Sequence, residues 1–143
     1  METRIRVAAL IMDGDRVLLV STKQGQPGYL VPPGGGLEPP EALAEAVVRE
    51  AHEESGLHLA CGALAGYREV ARADRFELEL YFATRLLQSP SSVSDISEEN
   101  RQVRWVELSA LPHTPHFPEE LGEMCRRLAE NHLEPLYLGR SEI

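Results

Sequence analysis

The sequence is poor in cysteine. It has two, Cys61 and Cys125, far apart and outside any Cys-x-x-Cys pattern. That excludes a zinc ribbon and a disulfide framework, and leaves two reduced thiols in or near the core as the expectation. Long apolar runs are also missing. No window approaches the ~18 residues of a membrane span. The opening Met1 to Arg6 lacks the apolar stretch of a signal peptide. A soluble, cytoplasmic protein with no membrane partner is therefore expected. Basic residues are outnumbered, 14 against 23 acidic ones, for a formal net charge of −9. A general nucleic-acid binder needs clustered Lys and Arg to neutralise phosphates, so no nucleic-acid partner is expected. A small phosphate ligand is not excluded, because a divalent cation can stand between it and a carboxylate. The sequence shows no internal repeat and no linker, so residues 1–143 read as one domain.

What is present is an alternation of apolar segments and turns. Arg4 to Met12 reads as a strand that becomes buried on both faces. Asp13-Gly14 signals a hairpin, with Val17 to Val20 returning. Tyr29 to Val31 reads as a short strand, stopped by a loop, Pro32-Pro33-Gly34-Gly35-Gly36. A helix is predicted from Pro40 to Ser55, capped by Gly56. One strand is expected within Leu57 to Val70 and another over Phe76 to Leu87, with Phe76, Leu78, Leu80 and Phe82 alternating. A polar loop, Ser89 to Asn100, leads to a strand from Gln102 to Glu107 around Trp105, expected in the core. A second helix is predicted from Pro118 to Asn131, with Leu121, Met124, Cys125 and Leu128 on one side. The tail after Asn131 carries no clear pattern. The order implies an α/β or α+β sheet with helices packed on it.

The informative segment is the first helix. Glu50, Glu53 and Glu54 project within about a 100° arc, and Ala44, Val47, Val48 and Ala51 occupy a neighbouring arc that could face the sheet. Three carboxylates on one stripe repel each other. Arg49 can reach Glu45 and Glu53 at i,i+4 spacing but cannot neutralise the cluster alone. A hard divalent cation such as Mg²⁺ can, through oxygen ligands. The Gly-rich segment before the helix lets backbone approach a ligand closely. Removal of one carboxylate, as in Glu54→Gln, is expected to relieve repulsion and leave the melting temperature level or raised.

Gly35, Glu41, Arg49, Glu50, Glu53, Glu54 and Gly56 stand at fixed spacings over the 23 residues from Gly35 to Leu57. This segment resembles the Nudix box, and the likeness extends over roughly Arg4 to Leu128. Ala51 stands where the box usually has a bulky aliphatic, and Leu30 where many relatives carry Trp.

The resemblance implies a Nudix fold, an α/β/α sandwich around a mixed sheet. It implies Mg²⁺-dependent hydrolysis (Mn²⁺ substituting) of a diphosphate linkage in a nucleoside diphosphate derivative. Glu50, Glu53 and Glu54 would bind metal, with the carbonyl of Gly34 or Gly35. Glu53 or Glu50 would be the base. Arg49 would orient the glutamates, and Glu41 would stabilise the loop–helix junction. Arg6, Gly35 and Gly36 would contact the substrate. Glu98, beside Glu99, is a further candidate acid from a distal loop. His113 and His116 flank Pro115, where histidines are ordinarily bystanders.

Substrate choice is open. No proline lies between Leu57 and Pro90, where some ADP-ribose-cleaving relatives carry one, and the extra motif of coenzyme A pyrophosphatases is not apparent. Nucleoside triphosphates in the manner of MutT rank first, ahead of nucleotide sugars, ADP-ribose and dinucleoside polyphosphates. A non-catalytic nucleotide-sensing module is the rival of another class. The partner expected is thus a small nucleotide, and a homodimer is left open.

Overall fold

The computed structural model describes residues 1–22, 29–93, 101–132 and 134–143. Among these residues two sheets and two α-helices form the fold. The first sheet has five strands in the order β5 (Gly34–Gly36), β1 (Glu2–Leu10), β7 (Arg75–Leu86), β6 (Leu59–Ala71) and β9 (Leu136–Glu142). It is mixed: β1–β7 and β6–β9 are parallel, and β1–β5 and β6–β7 are antiparallel. The second sheet centres on β3 (Arg16–Ser21), which pairs antiparallel with β2 (Met12–Asp13), β4 (Leu30–Val31) and β8 (Val103–Glu107). Helix α1 spans Leu43–Ser55 and α2 spans Leu121–Ala129.

The continuous apolar run Val17 to Val20 has a physical explanation here. Leu18 and Val20 join a core cluster with Ala46, Val47 and Ala51 of α1. Val17 and Leu19 join the opposite cluster, with Leu121, Met124 and Cys125 of α2. A strand covered on both faces has no use for alternation. The expected α/β/α layering and mixed sheet are observed. Cys125 is buried, which pushes its thiol up to about 12, and Cys61 is half-buried; neither forms a disulfide.

Several local expectations change. Helix α1 begins at Leu43, not Pro40. Glu41 is engaged elsewhere, and the Glu45 carboxylate accepts from the Ala42 amide at 2.8 Å, which places the first turn after Ala42. The buried face of α1 is Ala46, Val47, Ala51, Glu54 and Ser55. Ala44 is exposed and Val48 only half-buried, so the sheet-facing arc lies closer to the glutamates than expected. On β7 the most buried positions are Glu77 and Tyr81. Phe82 packs on the α1 side, whereas the Tyr81 face meets the α2 layer. Finally, Leu136 to Glu142 is a strand whose partner, β6, lies some 70 positions away, a pairing no local pattern announces. As expected, Gly56 caps α1 at φ 76° and Gly14 turns the hairpin at φ 59°. No helix among the described residues is long and apolar enough to cross a membrane.

Candidate active site

The glycines expected to form a loop form an edge strand instead. In β5, Gly34, Gly35 and Gly36 pair with Ala8, Val7 and Arg6. Glycine is needed there for space. A Cβ on Gly34 would lie 2.2 Å from the Val7 carbonyl oxygen, and one on Gly35 would lie 2.4 Å from Glu50 Oε1. The bare backbone therefore lets the Glu50 carboxylate rest directly against β5.

Arg49 gathers the surrounding acids. Its Nε and Nη2 donate to the two oxygens of Glu41 at 3.0 and 2.7 Å. Nη1 donates to Glu50 Oε1 at 2.9 Å and stands 3.5 Å from Glu53, and Nη2 reaches the Gly36 carbonyl at 3.2 Å. These contacts hold the Glu41 carboxyl below the usual carboxylate range. Glu41 also accepts from the Glu38 amide at 2.8 Å, which closes the turn leading into α1. Glu45, the other expected partner of Arg49, serves the helix start instead.

Glu54 differs from its neighbours. It is 2% exposed and paired with Arg101 at 2.7 Å, itself 7% exposed. Arg101 also donates to the Ser21 carbonyl at 2.6 Å, which ties α1 to the end of β3. Burial pushes the Glu54 carboxyl up to about 7, against the attraction of Arg101 and with repulsion from Glu50 added. Its second oxygen is buried and makes no hydrogen bond among the described residues.

Glu50 and Glu53 line a cleft of about 850 Å³, together with Arg6, Gly34, Gly35, Gly36 and Arg49. The cleft thus brings together most of the expected site residues. Glu54 stands behind it. Glu98 and Glu99 lie outside the described residues. His113 is exposed, and His116 Nδ1 is within 2.6 Å of the Thr114 carbonyl; neither lines the cleft. Trp105 is half-buried against the α1 cluster, its Nε1 donating to the Pro90 carbonyl at 3.2 Å. Leu30 is fully buried, its amide and carbonyl bonded to Pro115 and Phe117, so it offers no stacking surface. Sequence reasoning missed Arg101, Arg72, Glu79, Tyr81, Phe117 and Tyr29. Isolated residues on strands and loops carry no spacing signal, and they reach the cleft through the fold alone.

Among the described residues no three acidic or imidazole side chains stand close enough together to share one ion. The chemistry of the donor set nevertheless fits a hard cation. It is all oxygen, with a buried Glu54 oxygen lacking a hydrogen bond and Glu50 held at the cleft wall beside the β5 backbone. Mg²⁺ habitually takes one or two carboxylates and fills its remaining positions with water and phosphate oxygens.

A family model described as NUDIX domain matches residues 2–128. A human diphosphoinositol polyphosphate phosphohydrolase 3-alpha is 39% identical over 70 residues, 49% of this chain and 42% of that protein. The mouse nucleoside diphosphate-linked moiety X motif 6 is 27% identical over 129 residues, covering 87% of this chain and 41% of that protein. The chain therefore spans less than half the length of these curated relatives. Among solved structures, a NUDIX hydrolase from Nitrosomonas europaea superposes with a TM-score of 0.73 at 23% identity, over 94% of this chain and 93% of that one. On the family match over most of its length, the chain belongs to the Nudix family.

Proposed function

We propose that this protein hydrolyses a diphosphate linkage in a nucleoside diphosphate derivative, with nucleoside triphosphates the first candidates and Mg²⁺ the required ion. The observation that carries the proposal is the cleft itself. Its volume, about 850 Å³, suits a nucleotide-sized ligand, and Glu50, Glu53 and the β5 glycines form one wall of it. The size of the human relative's match, 39% over 70 residues, favours one second reading, an inositol-based diphosphate.

Glu50, Glu53 and Glu54 are the proposed metal-binding carboxylates, with a Gly34 or Gly35 carbonyl beside them. When bound, the cation would offset phosphate charge and favour attack by water. The chain's own groups do the rest. Arg6 and the open backbone of Gly35 and Gly36 hold phosphate oxygens. Arg49 keeps Glu50 aimed across β5, and Glu41 keeps Arg49 in place. Glu53 is the proposed base. Its side chain is 44% exposed at the rim, against 14% for Glu50, and stands farther from Arg49, so it has room to meet a water. As the water oxygen bonds to phosphorus, Glu53 takes its proton and the bridging oxygen leaves with the electron pair. The products are two phosphate-bearing fragments.

The test is a panel of nucleoside triphosphates, nucleotide sugars, ADP-ribose, dinucleoside polyphosphates and a diphosphoinositol polyphosphate, with Mg²⁺, read by chromatography of the products. Turnover of a nucleotide that stops in excess chelator is expected. Undiminished turnover in chelator would refute the metal requirement.

A further inference from the structure

On the cleft side of the five-stranded sheet, neighbours in register share a face. One row crosses from β5 to β6 as Gly36, Arg6, Glu79 and Arg68. The next row is Gly34, Ala8, Tyr81 and Gly66. At Gly66 the sheet meets α2, because a Cβ there would lie 2.6 Å from Met124 Sδ. Along β1 the same face goes from exposed Arg6 to half-buried Ala8 to buried Leu10. The layers therefore close near Tyr81 and open at the Arg6–Glu79 row, which forms the cleft floor.

Two charges on that floor are uncommitted. Arg6 and Glu79 are neighbours, yet neither makes an ion pair within 4 Å among the described residues. Arg68, on the other side of Glu79, is turned away: it donates to Ser141 at 3.0 Å and Glu120 at 3.1 Å, under the ring of Phe117 at 4.5 Å. Among the described residues the Glu79 carboxylate accepts one side-chain hydrogen bond, from the Tyr81 hydroxyl at 3.2 Å. Burial, and then the Glu79 charge, push the Tyr81 hydroxyl upward, so it stays a neutral donor. A carboxylate offers about four lone-pair sites. Glu79 is thus oriented by one donor with acceptor capacity left over, facing a ligand cleft. Arg6 lies next to Gly36 on the phosphate side, and Glu79 lies one strand farther in.

We propose that Glu79 is a specificity-determining residue that accepts hydrogen bonds from a pair of adjacent donors on the group attached to the diphosphate. The proposal rests on the hydrolase reading above. Two sources share this chemistry: the N–H edge of a nucleobase and the cis-diol of a ribose. The same carboxylate disfavours a further phosphate at that position, since like charges facing each other in a cleft are strongly penalised. The cleft floor therefore discriminates against densely phosphorylated substrates of the kind named for the human relative.

Glu79→Gln tests this, because Gln keeps an acceptor for Tyr81 and so preserves the local fold; equal melting temperatures are the control. Specificity constants for the wild type and the variant are measured with Mg²⁺ on GTP, ITP, 2′,3′-dideoxy-GTP and a diphosphoinositol polyphosphate. The wild type is expected to prefer the donor-bearing member of one pair and to process the inositol compound slowest. In the variant, kcat/KM on the preferred nucleotide falls about 10- to 100-fold, chiefly through KM, while its donor-lacking counterpart changes little. GTP against ITP reports a base contact; GTP against the dideoxy analogue reports the ribose. Unchanged preferences in the variant overturn the role of Glu79 and leave the hydrolase reading standing. Fastest turnover of the inositol compound overturns the role of Glu79 and the preference for nucleotides, and leaves diphosphate hydrolysis standing. Should no nucleotide be turned over, the hydrolase reading fails, and titration calorimetry of the same pairs on both proteins still decides whether Glu79 selects among them.

Discussion

Replacing Arg101 with methionine tests how the carboxylate helix is anchored. Glu54 and Arg101 form a 2.7 Å pair in which both side chains are more than nine-tenths buried. Removing one member of such a pair leaves the other charge in a poor dielectric without compensation, which costs about 3–5 kcal/mol. The variant also strands the Ser21 carbonyl, bonded to Arg101 at 2.6 Å, adding about 1 kcal/mol. Against the ~5–15 kcal/mol total of an ordinary domain, Arg101→Met should remain folded but lose a large share of its stability. At about 2–4 °C per kcal/mol, the melting temperature falls by roughly 10 °C or more. Glu54→Gln, expected from sequence to be neutral or stabilising, should instead cost stability, because it removes the 2.7 Å ion pair with buried Arg101. The assay is urea denaturation, followed by circular dichroism, of metal-free wild type, both single variants and the double variant. The double variant should recover part of the loss, with a coupling energy of about 1–3 kcal/mol. Additivity within about 0.5 kcal/mol would refute the reasoning.

Gly35→Ala should keep the fold and lose activity, since the inserted Cβ meets the movable end of Glu50; a drop in kcat of about 100-fold with a near-normal melting temperature is the expected result. Gly34→Ala meets the Val7 carbonyl instead, so it should show the opposite balance, with thermal stability falling first. Glu53→Gln should reduce kcat at least ~100-fold in Mg²⁺ with the fold intact, and steady-state kinetics near wild type would exclude it as the base. Glu77 is 2% exposed; burial pushes its carboxyl up, but ion pairs with Arg72 and Arg75 at 3.0 Å outweigh that and hold it below the usual range. A lowered folded-state pKa contributes stability above the unfolded value of about 4.3 that is lost as the pH falls through the folded one. Glu77→Gln should therefore lower the urea midpoint at pH 7, with the gap to wild type narrowing on acidification; a gap independent of pH would contradict this.

Much of the site was legible because a helix and a box impose spacing. Glu50 and Glu53 had to share a helical face, and Gly56 had to end the helix, since 3.6 residues per turn and a positive φ are local requirements. The hairpin at Gly14 and the amphipathic face of α2 followed from equally local rules. The start of α1 was misplaced because a distant side chain, Arg49, draws Glu41 out of the helix. The glycine segment was read as a loop because its strand partner, β1, lies some 30 residues earlier.

Sequence alone determined the family, the helix of carboxylates and the hairpin that turns at Gly14. Each rests on periodicity or fixed spacing within one segment. The tertiary structure decided which carboxylates face the cleft and which one faces a buried arginine. It alone placed Glu79, Tyr81 and Phe117 in one cavity with Arg6, and it made a strand of the C-terminal tail. Register between strands and burial against a second layer set those outcomes, and both are properties of pairs of segments far apart in the chain, so no single segment encodes them.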